Sequence, residues 1–183
     1  MEPVDTPDVP RAVAVVRDFV NTTDRETATD DVTTPAELTR YLVAQGLMPR
    51  ASRATAADLD LALRLRSALR QALEQNHAGD PSRSALPDAL AEHPVTLAWA
   101  EEGAVVTTSA PGVPGALARI AIAVHEATTG GLWRRLKICA YDGCEWAYYD
   151  QSKNLSRSWC EYGCGNKVKT RAYRARKAAA ASR

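Results

Sequence analysis

All four cysteines of this chain, Cys139, Cys144, Cys160 and Cys164, fall within 26 of its 183 residues. They form two close pairs, C-x4-C and C-x3-C, separated by fifteen residues. A tetrahedral metal site needs four soft donors converging on one point. Two short chelate loops, each carrying two thiolates, bring them there with little loss of chain entropy. Gly143 and Gly163 each precede the second cysteine of a pair, where glycine lets the backbone turn tightly with its amides toward the sulfurs. Four free structural thiols, or two disulfides, are the alternatives. Pairing of this kind in a chain with no other cysteine favours metal. An iron–sulfur cluster is the rival ion. Zinc is favoured because a short segment with few other core residues needs a staple. We expect one structural Zn2+ held by all four thiolates, which leaves no open position for catalysis. Lys137, Arg157 and Lys167 lie near the ligands in sequence and are expected to offset the negative charge of the centre. Oxidation of the thiols would release the metal, so a redox sensor is an alternative role.

Charge divides the chain at the same place. The total is only +1. Residues 1–133 hold 11 Lys+Arg against 18 Asp+Glu, a net of −7, and residues 134–183 hold 12 against 4, a net of +8. Seven of the eleven aromatic residues also follow residue 133. An acidic body joined to a basic, aromatic tail suggests a polyanion partner for the tail. No apolar run approaches the ~20 residues that span a bilayer. The acidic start, Met1-Glu2-Pro3-Val4-Asp5, has no apolar signal core. The expected compartment is therefore the cytoplasm, where thiols stay reduced.

The body reads as mostly helical. Residues 1–10, with three prolines, read as a flexible start. Ala12, Val15, Val16, Phe19 and Val20 recur at helical spacing over Arg11–Asn21. Residues 22–33, rich in Thr and Asp, read as a loop. Thr34-Pro35-Ala36-Glu37 supplies an N-cap, a proline at the first helical position and the Glu of a capping box. Leu38, Tyr41, Leu42 and Ala44 give that helix its apolar side, and Gly46 stops it. Residues 55–77 carry an apolar stripe of Leu61, Leu65, Ala68, Leu69, Ala72 and Leu73. Arg64, Arg66 and Arg70, interleaved with it, read as solvated. Gly79-Asp80-Pro81 breaks this helix, and a short helix covers Ala85–Ala91. Residues 95–99 and 104–108 then alternate as two strands of a hairpin around Glu101-Glu102-Gly103. Pro111-Gly112-Val113-Pro114 ends the hairpin. Residues 115–128 return to helix through Leu117, Ile120, Ala121, Val124 and Ala127. Gly130-Gly131 closes the unit as a hinge. The expected fold is α+β and mostly helical: an N-terminal helical domain, 1–133, with one small antiparallel hairpin or sheet, then a four-cysteine zinc finger with a basic C-terminal helix, 134–183.

Several motifs carry a family resemblance. Arg135-Leu136-Lys137-Ile138-Cys139, Cys144, Trp159-Cys160 and Cys164-Gly165-Asn166-Lys167 resemble the CGNR zinc finger, as does Asp150-Gln151-Ser152-Lys153-Asn154 between the pairs. Asp18-Phe19-Val20-Asn21-Thr22 resembles the opening of the ABATE domain that commonly precedes that finger. Two departures stand out. Lys167 occupies the position usually held by Arg, keeping the charge but losing a planar bidentate donor. The second cysteine pair encloses three residues where the family usually has four. The resemblance implies a bacterial transcription regulator with a zinc-stabilised DNA-binding module and a stress-linked regulatory N-terminal region.

The residues after the finger suit such a partner. With Asn166 as the expected cap, residues 167–177 form a helix that is cationic on almost every side. Val168, Ala172 and Ala175 make a narrow stripe able to dock on the finger. The candidate nucleic-acid contacts are Arg157, Lys167, Lys169, Arg171, Arg174, Arg176 and Lys177. Trp146, Tyr148, Tyr149 and Trp159 are read mainly as the finger's own core rather than as stacking platforms. DNA is the favoured partner. RNA, an acidic protein surface, the chain's own acidic body masking the helix, and a small-molecule ligand of the N-terminal domain are the alternatives. No P-loop, G-x-S-x-G or H-E-x-x-H is present, and His77, His93 and His125 are scattered. The chain is therefore expected not to be an enzyme.

Overall fold

The computed structural model describes residues 9–78 and 85–181. The helix break expected at Gly79-Asp80-Pro81 and nearly all of the expected flexible start lie outside the described residues.

Helix α1 spans Arg11–Val20 and buries Val13, Val16, Phe19 and Val20. Val13 joins the core while Ala12 and Val15 are only half-buried. The buried arc differs from the expected one because α1 is covered from more than one side. The segment 22–33 is not simply a loop. Thr23–Asp24 (β1) pairs antiparallel with Thr29–Asp30 (β2). Asp24 Oδ1 accepts from the amides of Glu26 and Thr27, closing the turn. Side-chain oxygens organise this ribbon, so apolar alternation gives no sign of it.

Helix α2, Pro35–Ala44, starts as its sequence dictates. The Glu37 amide donates to Thr34 Oγ1, and the Thr34 amide donates to Glu37 Oε2. Leu38 and Leu42 are buried, whereas Ala44 is exposed. Gly46, at φ +67°, ends α2. The amide of Leu47 reaches back to Leu42 O and drives Leu47 into the core. Helix α3, Ala56–Ala78, has its own cap, with Thr55 and Asp58 exchanging backbone-to-side-chain bonds. It buries Ala62, Leu65, Ala68, Leu69, Ala72 and Leu73, with Leu61 at the edge.

Helix α4, Leu86–Ala91, precedes strands β3, Thr96–Ala100, and β4, Gly103–Thr107. These pair antiparallel in register from Thr96↔Thr107 to Ala100↔Gly103. Helix α5, Gly112–Thr129, begins inside the Pro-Gly-Val-Pro stretch that ends the hairpin, earlier than the expected start at residue 115. Proline is tolerated in a first helical turn because its missing N–H has no intrahelical partner there. Gly115 is obligatory: a Cβ would lie 1.9 Å from Ala110 O.

A short 3-10 turn, Trp133–Arg135, leads to β5, Leu136–Ile138, which pairs antiparallel with β6, Ala147–Tyr149. Helix α6, Cys164–Ala181, follows. Strand β5 packs on α3 and β6 on α1. Leu136, Ile138 and Ala147 belong to the same buried cluster as Val16, Leu69, Leu73 and Leu117. The two segments therefore share one core, and Gly130-Gly131 is not a free hinge. Gly131, at φ +70°, sits in a tight helix stop in which the Leu132 amide bonds Ala127 O.

Polar side chains lock this seam. Asn21 pairs with Ala147 through both backbone groups, donating to its carbonyl at 2.9 Å and accepting from its amide at 2.8 Å. It acts as one residue of an added strand. Arg70 donates to Glu145 O on the finger and to Val20 O and Thr23 O on the body. Asn76 donates to Trp133 O and Leu136 O. The expectation of solvated arginines on α3 is thus corrected for two of the three. Arg70 fastens the finger, and Arg66 forms a two-armed bond to Asp30. Only Arg64 is exposed, paired with Glu92.

Candidate metal centre

Strand β5 delivers Cys139 at its end, where the Cys139 amide bonds Trp146 O across the hairpin. The chain then turns back through the bond from the Cys144 amide to Tyr141 O, with Glu145 in the left-handed region at φ +50°. Cys160 follows a long loop. Gly163, at φ +77°, swings the chain so that Cys164 opens α6. Gly163 thus has the conformational role expected of it. Gly143 does not have positive φ; there a Cβ would meet the Tyr141 ring at 3.1 Å, so the need is for space.

All four cysteines are buried and unbridged by disulfides. Their sulfurs lie within 4.8 Å of one another. Cys144 and Cys160 Sγ are 3.7 Å apart, and Cys160 and Cys164 Sγ 3.6 Å. A tetrahedron with zinc–sulfur bonds of ~2.3 Å has sulfurs about 3.8 Å apart, so the donor set fits zinc. Burial pushes the Cys144 thiol up to about 12 and raises that of Cys160 as well. The amides of Trp146 and Tyr162 donate to these two sulfurs and favour the charged form. Zinc binding releases the thiol protons, so metallation works against this upward shift. Cys164 as the first residue of α6 places its thiolate at the positive end of a helix dipole. The centre is a structural zinc site.

Lys137 does not face the metal as expected. It is 6% exposed and bonds the fully buried Asp150 carboxylate at 2.7 Å. Burial alone would raise the Asp150 carboxyl, but bonds from Lys137 and Ser152 hold it below the usual range. Asp150 also accepts from the Arg157 amide, so one carboxylate organises the loop between the cysteine pairs. Tyr148 is fully buried and donates to Arg157 O, while Trp146 and Trp159 flank the cysteines, a small core of the kind expected. Tyr149 instead packs on the body. Gly165 lets the Trp159 ring approach α6: a Cβ there would meet it at 3.2 Å.

The candidate nucleic-acid contacts divide in two. Arg157 donates to Trp159 O and lies 5.6 Å from the Tyr148 ring centre, so it braces the finger. Lys167 pairs with Glu26 of the β1–β2 turn and lies 5.8 Å from the Tyr141 ring centre. Lys169, Arg171, Arg174, Arg176 and Lys177 stand exposed on α6, with no partner among the described residues. Only Val168 of the expected docking stripe is half-buried; Ala172 and Ala175 face solvent. The helix projects because its stripe is too small to hold it down. Lys167 makes its pairing with the acidic body, and residues 169–180 are exposed throughout, so the body does not cover the helix. Asn166 is not a cap but the third residue of α6. It lies with Tyr141, Lys167, Thr170, Arg171 and Arg174 along an open cleft of about 580 Å³. Tyr141, Asn166 and Thr170 were missed by sequence reasoning. The helical spacing of Asn166, Thr170 and Arg174 was the signal available for two of them.

His93 is buried in the body and His125 is exposed. No described helix is long and apolar enough to cross a membrane. No curated protein matches the chain. Residues 135–177 match the family of CGNR zinc fingers. Residues 14–131 match the ABATE family, described as "putative stress-induced transcription regulator". Covering well over half of the chain, that second match shows that the protein belongs to the ABATE family and carries a CGNR zinc finger after its ABATE domain.

Proposed function

We propose that this protein is a cytoplasmic, non-enzymatic transcription regulator that binds duplex DNA through α6 and the cleft beside it. The observation that carries the reading is the set of five unpartnered cations on an exposed helix whose first residue is a metal ligand. Helix α6 has six Lys+Arg and no acid. Such a helix neutralises phosphates and releases their counterions, which gives affinity that falls steeply with salt. The cleft adds what a bare cationic helix lacks. Asn166 and Thr170 offer neutral donors and acceptors, and Tyr141 offers a ring, beside Arg171 and Arg174. The zinc contributes by fixing the start of the helix.

Fluorescence anisotropy of labelled duplex DNA with the zinc-loaded full chain tests this reading. With about five phosphate contacts, log K should fall against log salt with a slope of about −4.5. Replacing Arg171 and Arg174 by Gln should flatten the slope by about 1 for each residue. Absence of binding at low salt, or binding indifferent to salt and to these residues, would refute it.

A further inference from the structure

Given duplex DNA as the partner, on which this rests, we propose that α6 seats along the major groove of a particular base sequence. Asn166, Thr170 and Tyr173 then read base edges between two rows of cations that hold the phosphates.

Two residues near the start of α6 fix its orientation. Cys164 is buried, and Val168, four residues on, is half-buried. Residues at that spacing share one face of a helix, so that face lies on the finger. At about 100° per residue, the opposite face carries Asn166, Thr170, Tyr173 and Lys177. All four are exposed, Tyr173 by 59%. The first three are uncharged, on a helix that is otherwise rich in cations. Their amide and hydroxyl groups have no side-chain hydrogen-bond partner among the described residues. Cations border this ridge on both sides. Within about a quarter-turn, Lys169 and Arg176 lie to one side and Arg174 to the other, with Arg171 further round.

A helix that met a polyanion through charge alone would gain most from cations on its outermost line. Here that line is mainly neutral and the charges flank it. The pattern is that of a groove, with a floor of bases between two phosphate walls. The major groove, ~12 Å wide, admits a helix of about 10–12 Å with its side chains, whereas the ~6 Å minor groove does not. A single RNA strand presents one backbone, which leaves one row of cations unused. From Asn166 to Tyr173 the helix rises roughly 10 Å, about three base-pair steps. An Asn amide pairs two-pronged with the edge of adenine, and a Thr methyl packs on that of thymine. The preferred sequence therefore holds an adenine against Asn166.

Selection from a pool of randomised duplexes by the zinc-loaded full chain tests this, followed by anisotropy on matched and singly mismatched duplexes. The wild type should enrich a core of about three base pairs that includes an adenine, with roughly tenfold discrimination at that position. Asn166→Ala should erase the discrimination for adenine, and Thr170→Ala that at a neighbouring pair. Lys169→Gln and Arg176→Gln should weaken matched and mismatched duplexes alike and flatten the salt slope by about 1 each. Zinc content and circular dichroism report folding; if Asn166→Ala misfolds, Thr170→Ala decides alone. Duplex binding with no enriched sequence overturns the base-reading ridge and leaves DNA binding standing, as does an enriched sequence indifferent to both alanine variants. Failure to bind any duplex overturns both, and tighter binding of single-stranded RNA than of every duplex assigns the helix to RNA instead.

Discussion

The base of the finger and its helix differ sharply in what surrounds them. Strands β5 and β6 are inserted into the body, with Leu136 and Ala147 fully buried. Twelve residues of α6, 169–180, are exposed to solvent. The base is held by apolar burial and by backbone bonds from Asn21, Arg70 and Asn76. The helix is held only at its start, by the Cys164 ligand, the Trp159 ring against Gly165 and the Lys167–Glu26 ion pair. What can be read from this contrast is a division of labour: one part of the finger is anchored, and the other is presented.

Removing the metal should break the comparison most severely. Structural zinc contributes on the order of 10 kcal/mol or more to small fingers. Chelation, or Cys164→Ser, should cost the zinc, the orientation of α6 and the burial of Tyr148. The body should remain helical, because its core is built from α1, α3 and α5. Circular dichroism with limited proteolysis checks this: cleavage is expected after residue 138, and a finger that stays resistant without zinc would show that the body alone holds it.

A smaller effect is expected at the seam. Leu136→Ala opens a cavity in the shared core and should cost ~2–5 kcal/mol. Asn21→Ala leaves the Ala147 amide and carbonyl without partners and should cost about 1–3 kcal/mol. In denaturant, body and finger should still unfold together. Two separate transitions in the wild type would mean that the seam is weaker than its burial implies.

The smallest effect is confined to the body. Burial holds the His93 imidazole below its ordinary value. The folded state therefore binds that proton later than the unfolded chain does. Its contribution is full above about pH 6.5, the value of a free imidazole, and declines as the pH falls toward the folded value. Comparing the melting temperature of His93→Gln with the wild type between neutral and mildly acid pH isolates this term. Both proteins share whatever the zinc centre does over the same range, and equal slopes would rule the histidine out.

The elements most legible in the sequence were those with local causes. The capping box at Thr34 and Glu37, the stripe on α3 and the 95–108 hairpin each declare themselves within a few residues. The metal ligands were legible because two short spacings suffice to bring four sulfurs together. The seam was not legible. Arg66 and Arg70 look like any surface arginine until residues dozens of positions away supply Asp30 and Glu145. Lys137 was assigned to the metal by proximity in sequence, whereas its partner is Asp150, thirteen residues on. The β1–β2 ribbon escaped because it is built from side-chain oxygens rather than apolar alternation. The exposure of α6 followed from a quantity that periodicity does not measure: two alanines and a valine are too little surface to hold down a helix with six positive charges.

Cys164 is at once a ligand and the first residue of α6. Eighteen helical residues make a rod about 27 Å long, so the metal sits at the pivot of a lever. A tilt of about ten degrees at the sulfur moves the far end by roughly 5 Å, a large fraction of the ~12 Å width of a major groove. The direction of the helix is therefore sensitive to coordination geometry, alongside the Lys167–Glu26 pair that ties its first turn to the body. A thiophilic ion of another radius in the same four sulfurs would keep the finger folded and point its helix elsewhere.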